Sequence, residues 1–484
     1  MNAVREASSR TLLGPFARGT LVQQVRMIIQ TRIAAGAHSD TGRLPSSRQL
    51  AAELGTSRST VVAAYDQLVG EGYVESRERS GLFVNPELLS AATRIDDLRP
   101  ALNWPTRFVC RFTRPEGPPA GWQSYPYQFV TGQIDPSLFP ARAWLRHLRR
   151  ALDSPHISAS LDDRGGDDPL LLEAICRSVL PSRGLSTQPD GVTVTLGSQQ
   201  GISILCSLLL RPGDVVAMED PGYPEARHLF QAYGAQIRPV PVDADGIRVQ
   251  PDTLADVKIV YVTPSHHHPT NVTMTAARRS KLLDAANQHD VVIIEDDYDS
   301  ELRYRGRPIP ALAAGEHGGR CVYLGSFSKL LAPGLRMGFL VADPDLIVAV
   351  RDMQRMTIRQ APGHLQRALG SFLMTDDYYR TVRRVRRELK RRWEILTASV
   401  VKYLPPVKQS FPPGGTSLWL SASGVNWTDL PSAAAREGVA VMPQNEFYTR
   451  RPYPIQHLRL GFTAIPADRI EPGVRALARV IEFT

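Results

Sequence analysis

The chain has 484 residues, a formal net charge of +9, 43% hydrophobic residues and 22% charged residues. That length exceeds what one ordinary domain needs and the composition is globular, so two or more folding units with their own cores are expected and a largely disordered chain is excluded. No apolar run is long enough to span a bilayer, Met1–Arg10 lacks a signal-peptide core, and Cys110, Cys176, Cys206 and Cys321 show no paired spacing; these features predict a cytoplasmic protein with no membrane partner, disulfide framework or zinc cluster.

In chain order, the apolar positions from Leu21 to Ala35 fit an amphipathic helix that Gly36 would end. A short helix follows from Ser46 to Leu54. Gly55 to Ser57 make a turn, and Ser57 can cap a longer helix through Val61, Tyr65 and Leu68, closed by Gly70 and Gly72. Tyr73 to Val84 then holds two strand-like runs around Ser80-Gly81. Three helices and a basic hairpin predict a winged helix-turn-helix over residues 1–85. Such a unit lays its second motif helix in the major groove of double-stranded DNA, where Ser57, Arg58, Ser59 and Thr60 stand at the helix start. Arg58 can read a guanine, while Arg48, Arg77 and Arg79 suit phosphates. Between Met1 and Arg94 there are 11 Arg and no Lys against 8 acidic residues, a charge that permits a polyanionic partner. The ordered set Leu-Pro-Ser-Ser-Arg, Ser-Arg-Ser-Thr-Val, Glu-Gly-Tyr and Ser-Gly-Leu-Phe-Val closely resembles the GntR-type winged helix.

Residues 86–128 carry Pro100, Pro105, Pro115, Pro118, Pro119 and Pro126 with little periodicity and read as a semi-stiff linker. From Phe129 to Thr484 the pattern alternates. Strand-like runs (Val192–Thr195, Val215–Met218, Lys258–Thr263, Val291–Glu295, Cys321–Leu324, Gly338–Val341) are separated by helical stretches such as Gln199–Leu210 and Ala276–His289. This predicts an α/β domain with a mostly parallel sheet, whose ligands gather at the strands' carboxyl ends. Tyr379–Trp393 holds eight basic residues and one acid. Under that coat Val382, Val385, Leu389, Trp393 and Leu396 recur at helical spacing, so the stretch reads as a solvated helix face or a contributor to DNA phosphate binding.

The candidate chemistry falls at the strand ends. Val192–Thr195 runs into Leu196-Gly-Ser-Gln-Gln-Gly201 and a helix, which puts Ser198 and its neighbours' N–H groups at a helix N-terminus, a phosphate seat. Val291–Ile294 runs into Glu295-Asp-Asp-Tyr-Asp-Ser-Glu301, where a buried carboxylate can pair with a protonated ring nitrogen and a tyrosine can reach a ring hydroxyl; metal binding and solvated acids are the other readings. In Gly325-Ser-Phe-Ser-Lys-Leu-Leu-Ala-Pro-Gly-Leu-Arg-Met-Gly338, Lys329 can form an imine with an aldehyde, Ser326 and Ser328 can donate to phosphate, and Arg336 adds charge-assisted bonds. Together these describe a site for pyridoxal 5′-phosphate.

Residues 129–484 look like a fold-type I aminotransferase with a smaller C-terminal α+β subdomain, and the stretch around Lys329 is similar to that family's lysine signature. The resemblance implies that Lys329 holds the cofactor as an imine. It implies further that Asp296 pairs with the ring nitrogen and Tyr298 with the ring hydroxyl, and that Ser198, Gln199, Ser326, Ser328 and Arg336 take the phosphate. Tyr223 would stack on the ring, and Arg459 in Leu458-Arg-Leu-Gly-Phe462 would grip a carboxylate. Where those enzymes carry Asn-Pro-Thr-Gly, this chain has His266-His-His-Pro-Thr-Asn271, with His268 in the asparagine's place. Three consecutive histidines invite a zinc reading, but neighbours in an extended run point in alternate directions and no Cys or acid flanks them. His268 beside the pyridine ring, with His266 and His267 shaping the pocket, fits better, and no metal is expected.

A GntR-type winged helix joined to an aminotransferase-like domain resembles the MocR/GabR family of bacterial transcriptional regulators over nearly the whole chain. The resemblance implies a homodimer reading two half-sites of an operator. An amino compound or amino acid would be sensed as it displaces Lys329 to form an external aldimine. Pro264–Met274 looks most like members that control ectoine catabolism. The competing expectation is a working transaminase with an appended DNA-binding module.

Overall fold

The protein was analysed as a computed structural model that describes residues 19–35, 41–78, 80–87, 103–109, 117–153, 155–162, 165–307, 309–405, 407–409, 411–421, 430–442, 447–449 and 457–481. The chain divides into two compact units, Met1–Phe108 and Val109–Thr484. The predicted linker, 86–128, lies partly outside the described residues; its described parts include single turns of 3₁₀ helix at Trp104–Thr106 and Trp122–Ser124.

The first unit holds helices α1 (Leu21–Ala34), α2 (Ser47–Leu54) and α3 (Arg58–Gly70), then strands β1 (Val74–Arg77) and β2 (Gly81–Val84), paired antiparallel with Val74 opposite Val84. Local chemistry sets its boundaries. Thr20 and Ser46 each form a reciprocal capping box with a glutamine three residues on, and Gly55 ends α2 at φ +64°, a conformation glycine adopts without a Cβ clash. Ser57 caps α3 by accepting from the Thr60 N–H at 3.1 Å. One core joins Val25, Ile28, Ile29, Leu50, Leu54, Val61, Tyr65, Leu68, Val74 and Val84, so the apolar spacing read from the sequence is the spacing that packs. The Tyr65 hydroxyl donates to the Pro45 carbonyl, which ties α3 to the loop entering α2.

The second unit is built on an eight-stranded sheet: β3 (Val192–Thr195), β4 (Val215–Asp220), β5 (Gln236–Asp243), β6 (Gly246–Ile247), β7 (Val257–Val262), β8 (Val292–Asp297), β9 (Cys321–Ser326) and β10 (Gly338–Val341). Its spatial order is β3-β10-β9-β8-β7-β4-β5-β6. Strands β9, β8, β7, β4 and β5 run parallel, while β10 is antiparallel to both of its neighbours. All the predicted strand runs are present. Two strands of the sheet, β5 and β6, are not among those runs; β5 carries Pro239 and Pro241 and lies next to the two-residue edge strand β6, where few ladder donors are required.

After the sheet come the 28-residue helix Asp376–Tyr403, a small antiparallel sheet of Lys408–Gln409, Ser417–Ser421 and His457–Gly461, and the helix Ala467–Ala478. Val385, Leu389, Trp393 and Leu396 of the long helix are buried in the main core, as their spacing predicts. Part of its basic coat is committed within the protein. Arg392 is buried and paired with Asp135 at 2.6 Å, Arg384 donates to the Leu138 carbonyl, and Arg386 donates to the Glu301 carbonyl. Among the described residues no helix is long and apolar enough to cross a membrane.

Candidate functional site

At the carboxyl end of the parallel strands lies a cavity of about 280 Å³. Its wall includes Ser198, Gln199, Tyr223, His268, Asp296, Tyr298, Ser326, Ser328, Lys329, Arg336 and Arg459, so the residues expected to hold the cofactor and a carboxylate meet in one place. They arrive from separate elements: the start of helix Ser198–Leu209, the turn after β4, the loop after β7, the ends of β8 and β9, and the strand His457–Gly461.

The acid-rich stretch sorts its carboxylates by strand alternation. Glu295 turns away from the cavity and accepts from the N–H groups of Leu312 and Ala313, both at 2.8 Å. Asp297 also turns away and is held by Arg183 at 2.6 Å and by the Tyr323 hydroxyl at 2.8 Å. Asp296, only 3% exposed, faces the cavity. Its Oδ2 accepts from the Tyr261 hydroxyl at 2.7 Å, and its Oδ1 is buried without a partner. Burial pushes Asp296 up to about 7, against the Tyr261 hydrogen bond, which lowers it. A buried carboxylate oxygen with no donor fits a protonated pyridine nitrogen, because that N–H⁺ supplies the missing hydrogen bond and favours the charged form.

Lys329 sits just beyond β9, its amine near Gly132, which also lines the cavity. Burial, followed by the Arg459 charge, holds its amine below the ordinary lysine range, and this raises the neutral, nucleophilic fraction. At the anion end, Gly197 precedes Ser198 at φ +82°, and a Cβ there would stand 2.8 Å from the Arg336 guanidinium. The backbone angle favours glycine, and its lack of a side chain leaves room for the guanidinium to lie close above it. Arg336 is exposed and donates to the Leu196 carbonyl at 2.6 Å, and the Ser328 N–H donates to the Ser326 hydroxyl. A helix N-terminus, two hydroxyls and an arginine make a phosphate-binding set.

The histidine run departs from expectation. His268 lines the cavity, but His266 and His267 do not. His266 bonds Asp299 at 2.7 Å and borders a second cavity of about 310 Å³. His267 is buried against Thr270 and, at 3.6 Å, Glu219. The chain bends at His266 and turns over His268–Thr270, so the rings do not share one side, and the buried acids Asp299 and Glu219 stand beside His266 and His267. Among the described residues no cluster of His, Cys, Asp and Glu has a metal-binding arrangement. His268 Nε2 lies 2.6 Å from Arg459 Nη1 and accepts a hydrogen bond from its N–H, which leaves the ring's own proton on Nδ1, an atom with no described partner. Burial and the Arg459 charge hold this imidazole well below its ordinary range, so it is neutral. Arg459 also donates from Nε to the Ser417 hydroxyl at 2.9 Å. The Tyr298 hydroxyl donates to the His266 carbonyl at 3.0 Å and keeps its lone pairs for a donor in the cavity, while the Tyr223 hydroxyl meets Gln199 at 3.4 Å.

Among the cavity residues that the sequence reading does not single out are Tyr261, Thr263 and Glu225. Tyr261 is hidden in the continuous apolar run of β7, where nothing marks its hydroxyl as Asp296's donor. Thr263 was taken as the end of that strand; its hydroxyl accepts the His268 N–H at 3.0 Å and its hydroxyl and N–H both bond Glu219. Glu225, in the first turn of helix Pro224–Ala232, reads as an ordinary helix-start acid.

In the winged helix, Arg48, Ser57, Arg58, Ser59 and Arg77 are exposed and Thr60 is half-buried, while Arg79 lies outside the described residues. The Ser57 hydroxyl bonds those of Ser59 and Thr60 at the cap of α3, and Arg58 reaches the Ser47 hydroxyl at 3.3 Å. Arg77 stacks over Phe83. Arg43, which was not singled out, bridges to Phe83 through its backbone and lies against Gly81, next to the hairpin.

Residues 132–477 match the family described as Aminotransferase class I and II, and residues 21–84 match Bacterial regulatory proteins, gntR family. The chain is 36% identical over 481 residues to the HTH-type transcriptional regulator TauR of Rhodobacter capsulatus, covering 97% of this chain and 98% of that one. It is 32% identical to the probable rhizopine catabolism regulatory protein MocR of Rhizobium meliloti, covering 93% and 91%. Among solved structures, kynurenine aminotransferase from Pyrococcus horikoshii superposes with a TM-score of 0.68 at 29% identity, over 73% of this chain and 89% of that one. The chain belongs to the MocR-type transcriptional regulators, in which a GntR-type winged helix that binds DNA is joined to a fold-type I aminotransferase domain whose cofactor is pyridoxal 5′-phosphate.

Proposed function

We propose that this regulator senses a small amino compound or amino acid at Lys329 and, in response, adjusts transcription of a metabolic operon from the cytoplasm. In this reading residues 1–85 grip the operator, 86–128 link, and 129–484 sense. The observation that carries it is the joint presence, on one cavity wall, of a lysine with a depressed pKa, a buried carboxylate with an unpaired oxygen and an almost fully buried arginine.

When bound, the cofactor supplies an aldehyde that condenses reversibly with primary amines. Lys329 would hold that aldehyde, and the burial that lowers its pKa raises the neutral, nucleophilic fraction of its amine. Asp296 Oδ1 holds the ring-nitrogen proton. Ser198, Gln199, Ser326, Ser328 and Arg336 anchor the phosphate, and Tyr223 packs against the ring. Tyr298 and the Nδ1–H of His268 serve the ring hydroxyl. Arg459, steadied by Ser417 and His268, takes the effector's acidic group. Binding alters DNA affinity only to the extent that it differs between two arrangements of the regulator.

The second reading, a DNA-binding transaminase, is supported by the completeness of the same residue set, because amine exchange is also the first step of transamination. Absorption spectra of the protein and its Lys329→Ala variant, titrated with amino compounds, separate the two. A sensor gives a near-ultraviolet to visible band that requires Lys329 and shifts with one class of amine without forming keto acid. Steady keto-acid production would make the protein an enzyme. Ectoine-derived amines belong in the panel because of the likeness of Pro264–Met274 to regulators of that catabolism.

A further inference from the structure

The second cavity, of about 310 Å³, shares no described lining residue with the cofactor cavity, and its volume is that of a small-molecule site. One side of it is the segment that follows β8, where Glu301 and Arg303 stand. The other is a face of the helix Asp376–Tyr403, on which Tyr379, Val382, Arg383 and Arg386 recur at helical spacing.

Four guanidinium groups meet on this wall. Arg183 is committed, because Asp297 holds it at 2.6 Å and it donates to the Ser265 hydroxyl at 2.7 Å. Arg386 is exposed and spends only its Nε, on the Glu301 carbonyl at 2.9 Å. Arg303 is half-buried, and its Nε is buried without a partner. Among the described residues no carboxylate pairs with Arg303, Arg383 or Arg386. The acid on the wall, Glu301, accepts from the Ser300 hydroxyl at 3.3 Å, and burial raises its pKa, so it answers the arginines weakly. Burial, followed by the Arg183 charge, lowers the Arg303 pKa, as expected of a cation gathered with others and short of an anion.

Planar guanidinium forks match carboxylates two bonds at a time. Arg303 faces the cavity from one side while Arg383 and Arg386 face it from the helix, so acidic groups spread over a small skeleton complement them better than one compact anion. We propose that this cavity is a second ligand site, which takes a small di- or tricarboxylic acid through Arg303, Arg383 and Arg386. The site stands apart from the sensing scheme above and does not depend on it.

Isothermal titration calorimetry on full-length holoprotein at fixed ionic strength tests this, with tricarballylate and succinate as probes and butyrate as the monocarboxylate control. Both probes should bind, and butyrate about tenfold or more weakly. Arg303→Gln and Arg383→Gln should each weaken tricarballylate about ten- to a hundredfold, the worth of a hydrogen bond to a charged group. Arg459→Gln should leave a tricarballylate site intact. Arg383 is exposed, so its variant serves if Arg303→Gln does not fold. Binding that is lost in Arg459→Gln and kept in the other two variants puts the acid in the cofactor cavity and overturns the proposal. Tighter binding of inorganic phosphate than of tricarballylate overturns it as well. So does the absence of heat from both probes, and a halved sedimentation mass in Arg383→Gln would then show that the wall receives an acidic group of a second copy instead.

Discussion

At the scale of single residues, Asp296 shows how one environment serves two states. With no ligand its carboxyl is pushed up to about 7 by burial, whereas in an unfolded chain it ionises near the ordinary aspartate value of 3.8. Between those pH values the folded state keeps a proton that the unfolded state has lost, so stability falls as pH rises from about 4 to about 7 and then levels off. Cofactor-free protein should therefore lose stability on the order of a few kcal/mol across that window through this group, and Asp296→Asn should flatten part of the slope. Urea unfolding at several pH values reads this directly, and an unchanged slope in the variant would assign the effect to the other raised acids, Glu219 and Glu295. The sequence brought Glu295, Asp296 and Asp297 to the right strand end. Strand alternation makes Asp296 the odd one out, but which side faces the ligand was known only from resemblance until Arg183, Tyr323 and the N–H groups of Leu312 and Ala313 were seen to occupy the other two.

At the scale of elements, the winged helix was almost fully legible because its signals are local. A cap, a left-handed glycine and an apolar stripe each act within a few residues, and each appears where it was read: Ser57, Gly55, and Val61 with Tyr65 and Leu68. The DNA roles follow from position on these elements. Arg58, at the start of α3, should govern base preference, and Arg48, on α2, the non-specific grip. Arg58→Ala should cost about 1–3 kcal/mol of operator affinity and relax discrimination at one base pair, while Arg48→Ala should weaken all sequences alike and lower the salt dependence by about one unit of slope. Fluorescence anisotropy with operator and scrambled DNA at several salt concentrations distinguishes them, and a reversed pattern would exchange their roles. The missed strand β5 illustrates the opposite case. Its two prolines speak against a strand locally, and only its place beside the sheet edge makes them tolerable.

At the scale of the whole molecule, the aminotransferase resemblance implies a homodimer and hence two DNA half-sites. Sedimentation should give twice the chain mass of 53.5 kDa, and footprinting should protect two like sequences related by dyad or direct repeat. A monomer that protects a single half-site would contradict this. The sequence by itself determined the order of elements, the winged helix and the α/β alternation, because these depend on periodicity, capping and short motifs within one stretch of chain. Tertiary structure alone decided which neighbours in a motif point to the ligand. It sent His268 to the cavity and His266 and His267 to buried acids, gave Asp296 its tyrosine donor, and set Glu225 on the same wall as Arg459. Those outcomes depend on partners dozens to hundreds of residues away, and pairing at that distance is settled by burial and close packing rather than by any local pattern.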